Sequence, residues 1–248
     1  MKITFIIAKH HSPLRSTTHF ILFILVFLLV SWFFHYFEIF HYAPYATHRW
    51  RQTDSLSFVQ TYYNNGMHFF EPKVNNALGG QGNAAPSEFP ILYYIAAWFW
   101  KIFGPHDGIL RVIHLFIFGV GLFSLSKLTL HLTKDIFYAL MPPFLLMGSP
   151  IIAFYGFNYI PNIPALGFLF SGMLCFYYFF KTQKRSWLLG SWVLFLFAGL
   201  LKVTVLIPFI VIVLIFLLEK MNWVQFKSEG KIFQKGWWNL PFLLSIFV

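Results

Sequence analysis

The sequence predicts an all-α polytopic membrane protein, and two observations carry that prediction. The 248-residue chain is 58% hydrophobic and 22% aromatic with only 10% of its residues charged, whereas a soluble domain has about 25%. Its Lys and Arg residues also gather in short clusters between long apolar runs, the pattern by which loop charge marks membrane topology. The net charge of +10 is therefore a topology signal and not a nucleic-acid-binding face, which needs a continuous basic surface. The single cysteine, Cys175, lies inside an apolar run. An intrachain disulfide is thus impossible, and the residue reads as a small side chain facing lipid or a neighbouring helix.

Lys2, Lys9 and Arg15 precede an apolar run from Phe20 to Phe34. This resembles the start of a signal peptide, but bulky Trp32-Phe33-Phe34-His35-Tyr36-Phe37 stands where cleavage needs small residues. The sequence therefore predicts an uncleaved first transmembrane helix over 19–36 with a cytoplasmic amino terminus. Residues 37–90 form an external loop with structure of its own. Thr53 or Asp54 is placed to cap a short helix whose Leu56, Val59, Tyr62 and Tyr63 share one face, ended by Asn64-Asn65-Gly66. Such a helix is expected at the membrane interface, aromatic face down. Gly79-Gly80-Gln81-Gly82-Asn83 gives a flexible tip; with no strand before it, it is a poor dinucleotide fingerprint.

Residues 91–248 supply the remaining apolar helices of what reads as one transmembrane module. Apolar stretches run over 89–103, 109–132, 136–157, 161–180, 187–201 and 203–218. The basic groups Lys181, Lys184, Arg185 and Lys220, Lys227, Lys231, Lys235 mark cytoplasmic connections, so Lys202 falls at the outer turn between them. Counting back, 161–180 begins outside, on the side of Asp54. Counting forward, three full crossings between Glu88 and Asn162 would contradict this. One stretch must not cross, and 89–103 is the candidate, spanning about 22 Å as a helix against a hydrocarbon core of about 30 Å. The loop holding Lys127 and Lys134 then becomes cytoplasmic as well. The last apolar stretch, Trp237 to Val248, is shorter than the ~20 residues of a span, and the expectation is that the chain is the front part of something longer.

Asp54, Glu88, Asn162 and Lys202 are thus expected to converge at the outer interface, where ionisable groups near hydrocarbon mark a site. Each also has a plain structural role open to it. Asp54 is a possible cap, Glu88 a first-turn carboxylate favoured by the helix dipole, Asn162 a cap between Pro161 and Pro164, and Lys202 a cation reaching for headgroups.

The order of motifs resembles the GT-C membrane glycosyltransferases, in particular the glycosyltransferase family 39 group. Asp54 in Trp-Arg-Gln-Thr-Asp stands where that family has its first-loop catalytic aspartate. Glu88-Phe89-Pro90, followed by Leu92-Tyr93-Tyr94 and Lys101-Ile102-Phe103-Gly104, is similar to the family's acidic-proline segment and the Tyr/Trp-rich helix after it. Arg111 opens the next helix as an arginine commonly does there. Ser149-Pro150 and Tyr159-Ile160-Pro161-Asn162-Ile163-Pro164 look like the stretch bearing a second acidic residue, and Lys202 matches a lysine that approaches the lipid phosphate. Two departures stand out: Asn162 replaces an aspartate often found there and cannot act as a base, and the chain stops where the family continues through further helices.

The resemblance implies sugar transfer from a polyprenyl-phosphate donor to a lipid, glycan or protein acceptor at the outer face of a cell membrane. In that scheme Asp54 and Glu88 are the catalytic carboxylates, and Arg49, Arg51, Lys202, Asn162 and Tyr93 bind substrate. No cofactor is assigned. No tight ligand spacing marks a metal; a divalent ion would draw on Asp54, Glu88 and His48. Competing readings are a transporter or lipid flippase, whose polar groups usually sit near the midplane, and an inactive, truncated transferase.

Overall fold

The computed structural model describes residues 13–75, 88–221 and 223. Lys2, Lys9, Ser87, the glycine-rich stretch 79–83, the basic cluster Lys227, Lys231 and Lys235, and the apolar stretch from Trp237 lie outside the described residues. Those described are mostly helical, and no strand occurs among them.

Helix α1 (Pro13–Phe33) starts and stops before the expected 19–36. His35 adopts a left-handed backbone (φ 56°) and separates it from the single turn α2 (Tyr36–Ile39). Then come α3 (Arg49–Asn64), α4 (Ile91–Phe103) and α5 (Gly108–Thr133). Neither Thr53 nor Asp54 caps α3, which opens earlier, behind His48 at φ 57°. Thr53 Oγ1 instead bonds back to the Arg49 carbonyl at 3.0 Å, as a hydroxyl inside a helix does. The stop at Asn64-Asn65-Gly66 is where the sequence puts it, with Gly66 at φ 87°, a conformation open to glycine.

The stretch 136–157, expected as one apolar helix, is broken into α6 (Ile136–Gly148) and α7 (Pro150–Gly156), bent by 80°. Pro150 cannot donate a backbone hydrogen bond, and it forces Ser149 into the extended region (φ −66°, ψ 127°). Asp135 caps α6 by accepting from the Phe137 and Tyr138 amides at 2.8 and 3.2 Å. The chain continues through α8 (Asn162–Thr182), α9 (Arg185–Leu201), a 3₁₀ turn (Val203–Leu206) and α10 (Ile207–Lys220).

Side-chain pairs fix the helix directions. His19 meets Ser126 at 2.7 Å and the Phe23 and Phe123 rings lie 5.2 Å apart, so α1 is antiparallel to α5. Ser124 meets Ser171 at 3.3 Å and His131 meets Tyr178 at 3.0 Å, so α5 and α8 are parallel, and α6–α7 is the return between them. Where those two helices cross, their backbones touch: a Cβ on Gly121 would lie 2.3 Å from the Gly167 Cα. Helix α9 is antiparallel to α8, with Phe176 on Trp192 at 5.7 Å and Tyr178 on Trp187 at 4.9 Å. The chain reverses again at Lys202, laying Phe209 on Trp192 and Phe195 at 5.5 and 5.3 Å.

This arrangement sorts the charges. Lys134, Lys181, Lys184 and Arg185 stand at one end of the bundle, beside the start of α1. Arg49, Arg51, Asp54, Glu88, Asp107 and Lys202 stand at the other. Between the ends the outward faces are oily, with Leu25, Leu29, Phe116, Val120, Leu189 and Val193 exposed. Among the described residues three helical stretches, Ser16–Phe33, Gly108–Thr133 and Asn162–Thr182, are long and apolar enough to cross a membrane, and the bent α6–α7 pair makes a fourth if it is one span. Helix α9 and the segment from Val203 to Ile215 are shorter, so fewer helices meet the length criterion than the sequence reading assigned as crossings.

Helix α4 has 13 residues, about 20 Å, and runs antiparallel to the first turns of α5. Leu92 packs near Ile113 and Ile117, while Trp100 reaches Leu110. Both of its ends therefore lie beside the first three turns of α5. Helix α3 runs parallel to α4, but its apolar face does not look toward lipid. Leu56, Val59 and Tyr62 are buried against Tyr93, Ala96, Ala97 and Trp100 instead, because α4 offers the larger apolar surface at that side.

Candidate active site

The parallel pairing of α3 and α4 is built by matched side chains. Phe58 stacks on Tyr93 with ring centroids 5.3 Å apart, and Tyr63 meets Trp100 edge-on at 5.8 Å. The Ser55 hydroxyl donates to the Arg51 carbonyl at 3.0 Å, so the hydrogen bond it shares with Tyr93 Oη at 3.2 Å has the phenol as donor. Pairing in this register puts the beginnings of both helices side by side. There Arg51 forms an ion pair with Glu88, their side chains 30% and 24% exposed. A half-covered pair of this kind is accessible to a ligand while losing part of its hydration.

A second link brings in the far part of the chain. The Phe89 amide donates to the Leu200 carbonyl at 3.3 Å, and Leu92, Ala165 and Leu201 form one buried cluster. The starts of α4 and α8 and the end of α9 therefore sit at one level. Lys202 follows Leu201 directly, half-buried and in an extended conformation (φ −159°, ψ 100°) that ends α9. No carboxylate among the described residues pairs with its ammonium. Asn162 is the first residue of α8, with Pro161 in the capping place expected of Asn162 itself. Its Oδ1 is buried and has no hydrogen-bond partner among the described residues, an expensive state for a polar atom unless water or a ligand reaches it.

Asp54 lies on α3 roughly 60° around the helix from Arg51. It is exposed. Tyr93 lies beneath, 2% exposed, in a helix too short to span. Burial holds its phenol well above the ordinary tyrosine range, and the charges of Glu88, Arg51 and Asp54 all reach it. The structure thus gathers Arg51, Glu88, Tyr93, Asn162 and Lys202 around one level, with Asp54 on the flank.

Arg49 is placed differently. It faces away from the Arg51–Glu88 pair into a groove of about 570 Å³ that it lines with Thr53, Gln60, Trp100 and Asp107. The suggested metal ligands do not form a centre either: no group of three or more His, Cys, Asp or Glu side chains is positioned to hold a metal among the described residues.

Sequence reasoning assigned no role to the network under the site. Arg111, 1% exposed, donates to the Ile39 carbonyl and lies over the Tyr159 ring at 4.2 Å. Tyr159 Oη donates to the Tyr42 carbonyl at 2.9 Å. His114 Nδ1 donates to the Asn158 carbonyl at 2.9 Å, and Asn158 Oδ1 accepts from the Tyr159 amide at 2.6 Å. These bonds tie the segment before α3 to α5 and to the α7–α8 turn. The signal available was an arginine and a histidine one turn apart in an apolar helix, where such groups need partners.

Comparisons with family models, with curated proteins and with solved structures return no match to this chain.

Proposed function

We propose that the chain is a multi-pass membrane glycosyltransferase of the GT-C kind, moving a sugar from a polyprenyl-phosphate donor to an acceptor at the outer face of a cell membrane. The observation that carries this reading is that the Arg51–Glu88 pair lies beside the start of α4, which shares one level of the bundle with the start of α8, bearing Asn162, and the end of α9, followed by Lys202. The starts of α3, α4 and α8 converge there too, and helix starts present unpaired N–H groups and partial positive charge. Two cations and those helix starts suit a phosphate that becomes more negative as it leaves.

Topology supports the same reading. With the Lys134, Lys181, Lys184 and Arg185 end in the cytoplasm, the amino terminus is also cytoplasmic and the site faces outward, where a lipid-linked donor presents its headgroup.

In the mechanism, the Asp54 carboxylate takes the proton of the acceptor hydroxyl as that oxygen attacks the anomeric carbon. The bond from that carbon to the phosphate oxygen breaks, the electron pair leaves with the lipid phosphate, and the configuration inverts. Lys202 and Arg51 stabilise the departing charge, and Glu88 holds Arg51 in place. Asn162 offers its amide to a sugar hydroxyl, which would satisfy its buried oxygen.

The test uses membranes carrying the protein, supplied with labelled polyprenyl-phosphate sugars. Asp54→Asn is expected to lower transfer by about a hundredfold, the scale of losing a general base, at unchanged expression. Transfer indifferent to the substitution removes Asp54 from catalysis, and absence of transfer from every donor in wild type favours a transporter or lipid flippase.

A further inference from the structure

The groove on the back of α3 takes no part in the chemistry above, yet its lining is specific. Arg49, Thr53 and Gln60 come from one stripe of the helix, Asn75 from the returning chain, and Trp100 and Asp107 from the far wall. At about 570 Å³ it falls among small-ligand clefts, roughly 300–1,000 Å³. No ion pair joins Arg49 to Asp107 among the described residues. The described lining therefore carries one charge of each sign, without a net charge to favour a strongly anionic or cationic ligand.

The remaining polar groups are amides and hydroxyls. Asn75 Nδ2 donates to Gln60 Oε1 at 3.0 Å, a bond that does not use the Gln60 N–H groups or Asn75 Oδ1. The Asn75 amide donates to Ser57 Oγ at 2.5 Å and locks the returning chain onto the helix, so this wall is preformed. The apolar part of the lining is Leu56, Trp100 and two prolines, Pro44 and Pro105. Donors and acceptors together with apolar side chains match a sugar ring, whose hydroxyls both give and accept while its C–H faces seek apolar contact.

We propose that this groove binds a neutral oligosaccharide. Asp54 lies on α3 between the groove stripe and the Arg51 stripe, so a glycan held here runs toward its carboxylate. That the glycan is the acceptor rests on the glycosyltransferase reading; that it binds does not.

The experiment presents the full chain in lipid nanodiscs to an array of neutral and acidic oligosaccharides, then measures affinity for the best ligand in solution. Neutral chains of two or more sugars are expected to bind. Gln60→Ala and Asp107→Asn each weaken binding by roughly tenfold, as loss of a ligand hydrogen bond to a polar or charged group does, with the thermal midpoint unchanged. Lys202→Met, on the other side of α3, leaves glycan affinity within twofold. Binding of no neutral glycan, a preference for acidic ones, or affinity indifferent to both groove substitutions overturns the proposal. The two readings fail separately. Array binding without sugar transfer sinks the transferase and keeps the groove, whereas transfer that Gln60→Ala leaves untouched, with no glycan bound, sinks the groove alone.

Discussion

The Phe89 amide donates to the Leu200 carbonyl at 3.3 Å, and this one bond joins the segment leading into α4 to the end of α9. It brings Glu88 and Lys202, more than a hundred positions apart in the sequence, to neighbouring parts of the structure. Lys202→Met is accordingly expected to lower transfer by about a hundredfold or more, the scale of removing one group that stabilises transition-state charge. Lys202→Arg should recover part of the rate. Single-turnover rates at saturating donor decide it, and an unchanged rate in Lys202→Met would return the lysine to a headgroup contact.

Arg51 and Glu88 are expected to act as a unit. Each single alanine substitution should slow transfer by roughly tenfold or more, and the double variant should be no worse than the poorer single, because partners of this kind are not additive. A double-mutant cycle on transfer rates measures this; full additivity would mean that the pair is a surface contact of little consequence.

Stability should respond to the crossing of α5 and α8 in a position-specific way. A Cβ on Gly167 would come within 2.5 Å of the Ile117 carbonyl oxygen, while one at Gly190 meets nothing within 4 Å. Gly167→Val should therefore lower the yield of monodisperse protein and its thermal midpoint, by about 1–3 kcal/mol of overpacking. Gly190→Ala should leave both unchanged. Equal behaviour of the two variants would contradict the backbone contact.

Arg111→Met removes the donor to the Ile39 carbonyl and the cation over Tyr159. The Tyr42 amide still donates to that carbonyl at 2.9 Å, so the cost is the lost charged hydrogen bond, about 1.5–3 kcal/mol. The loop before α3 should become sensitive to protease added from outside before the rest of the protein unfolds. Protection equal to wild type would show that the loop is held by other contacts.

Cysteine accessibility tests the topology. In a Cys175→Ala background, a cysteine at Lys134 or Gln183 should react only with a membrane-permeant reagent in intact cells, and one at Asn65 with an impermeant one. Labelling of position 134 from outside would overturn the orientation.

Much of the architecture was legible because apolar runs and charge clusters are one-dimensional signals. The 13-residue length of α4 is short for a span, in line with the expectation from counting charges, and the α3 stop followed from Asn65 and Gly66 chemistry. What the sequence hid depends on neighbours. The break at Ser149-Pro150 lies inside a continuous apolar run, so hydropathy passes over it. Capping by Asp54 was the local reading of a carboxylate before an apolar stripe, but Gln52, 0% exposed and bonded to the Tyr45 and Thr47 carbonyls at 2.8 and 2.9 Å, anchors an earlier helix start. Of the candidate site, Arg51 and Glu88 were both named from the sequence, but their pairing was not. Arg49 was grouped with Arg51 because only Trp50 separates them in sequence, although residues two apart on a helix face different ways.

The contact of Gly121 with Gly167 has a mechanical consequence. With backbone against backbone and no side chain between, α8 cannot slide along α5 without prising the two helices apart. Arg111 and Asn162, above that contact on the two helices, therefore keep their relative heights whatever the surroundings demand. In a thinner bilayer, hydrophobic mismatch should be met by tilt of the two helices as one rigid body.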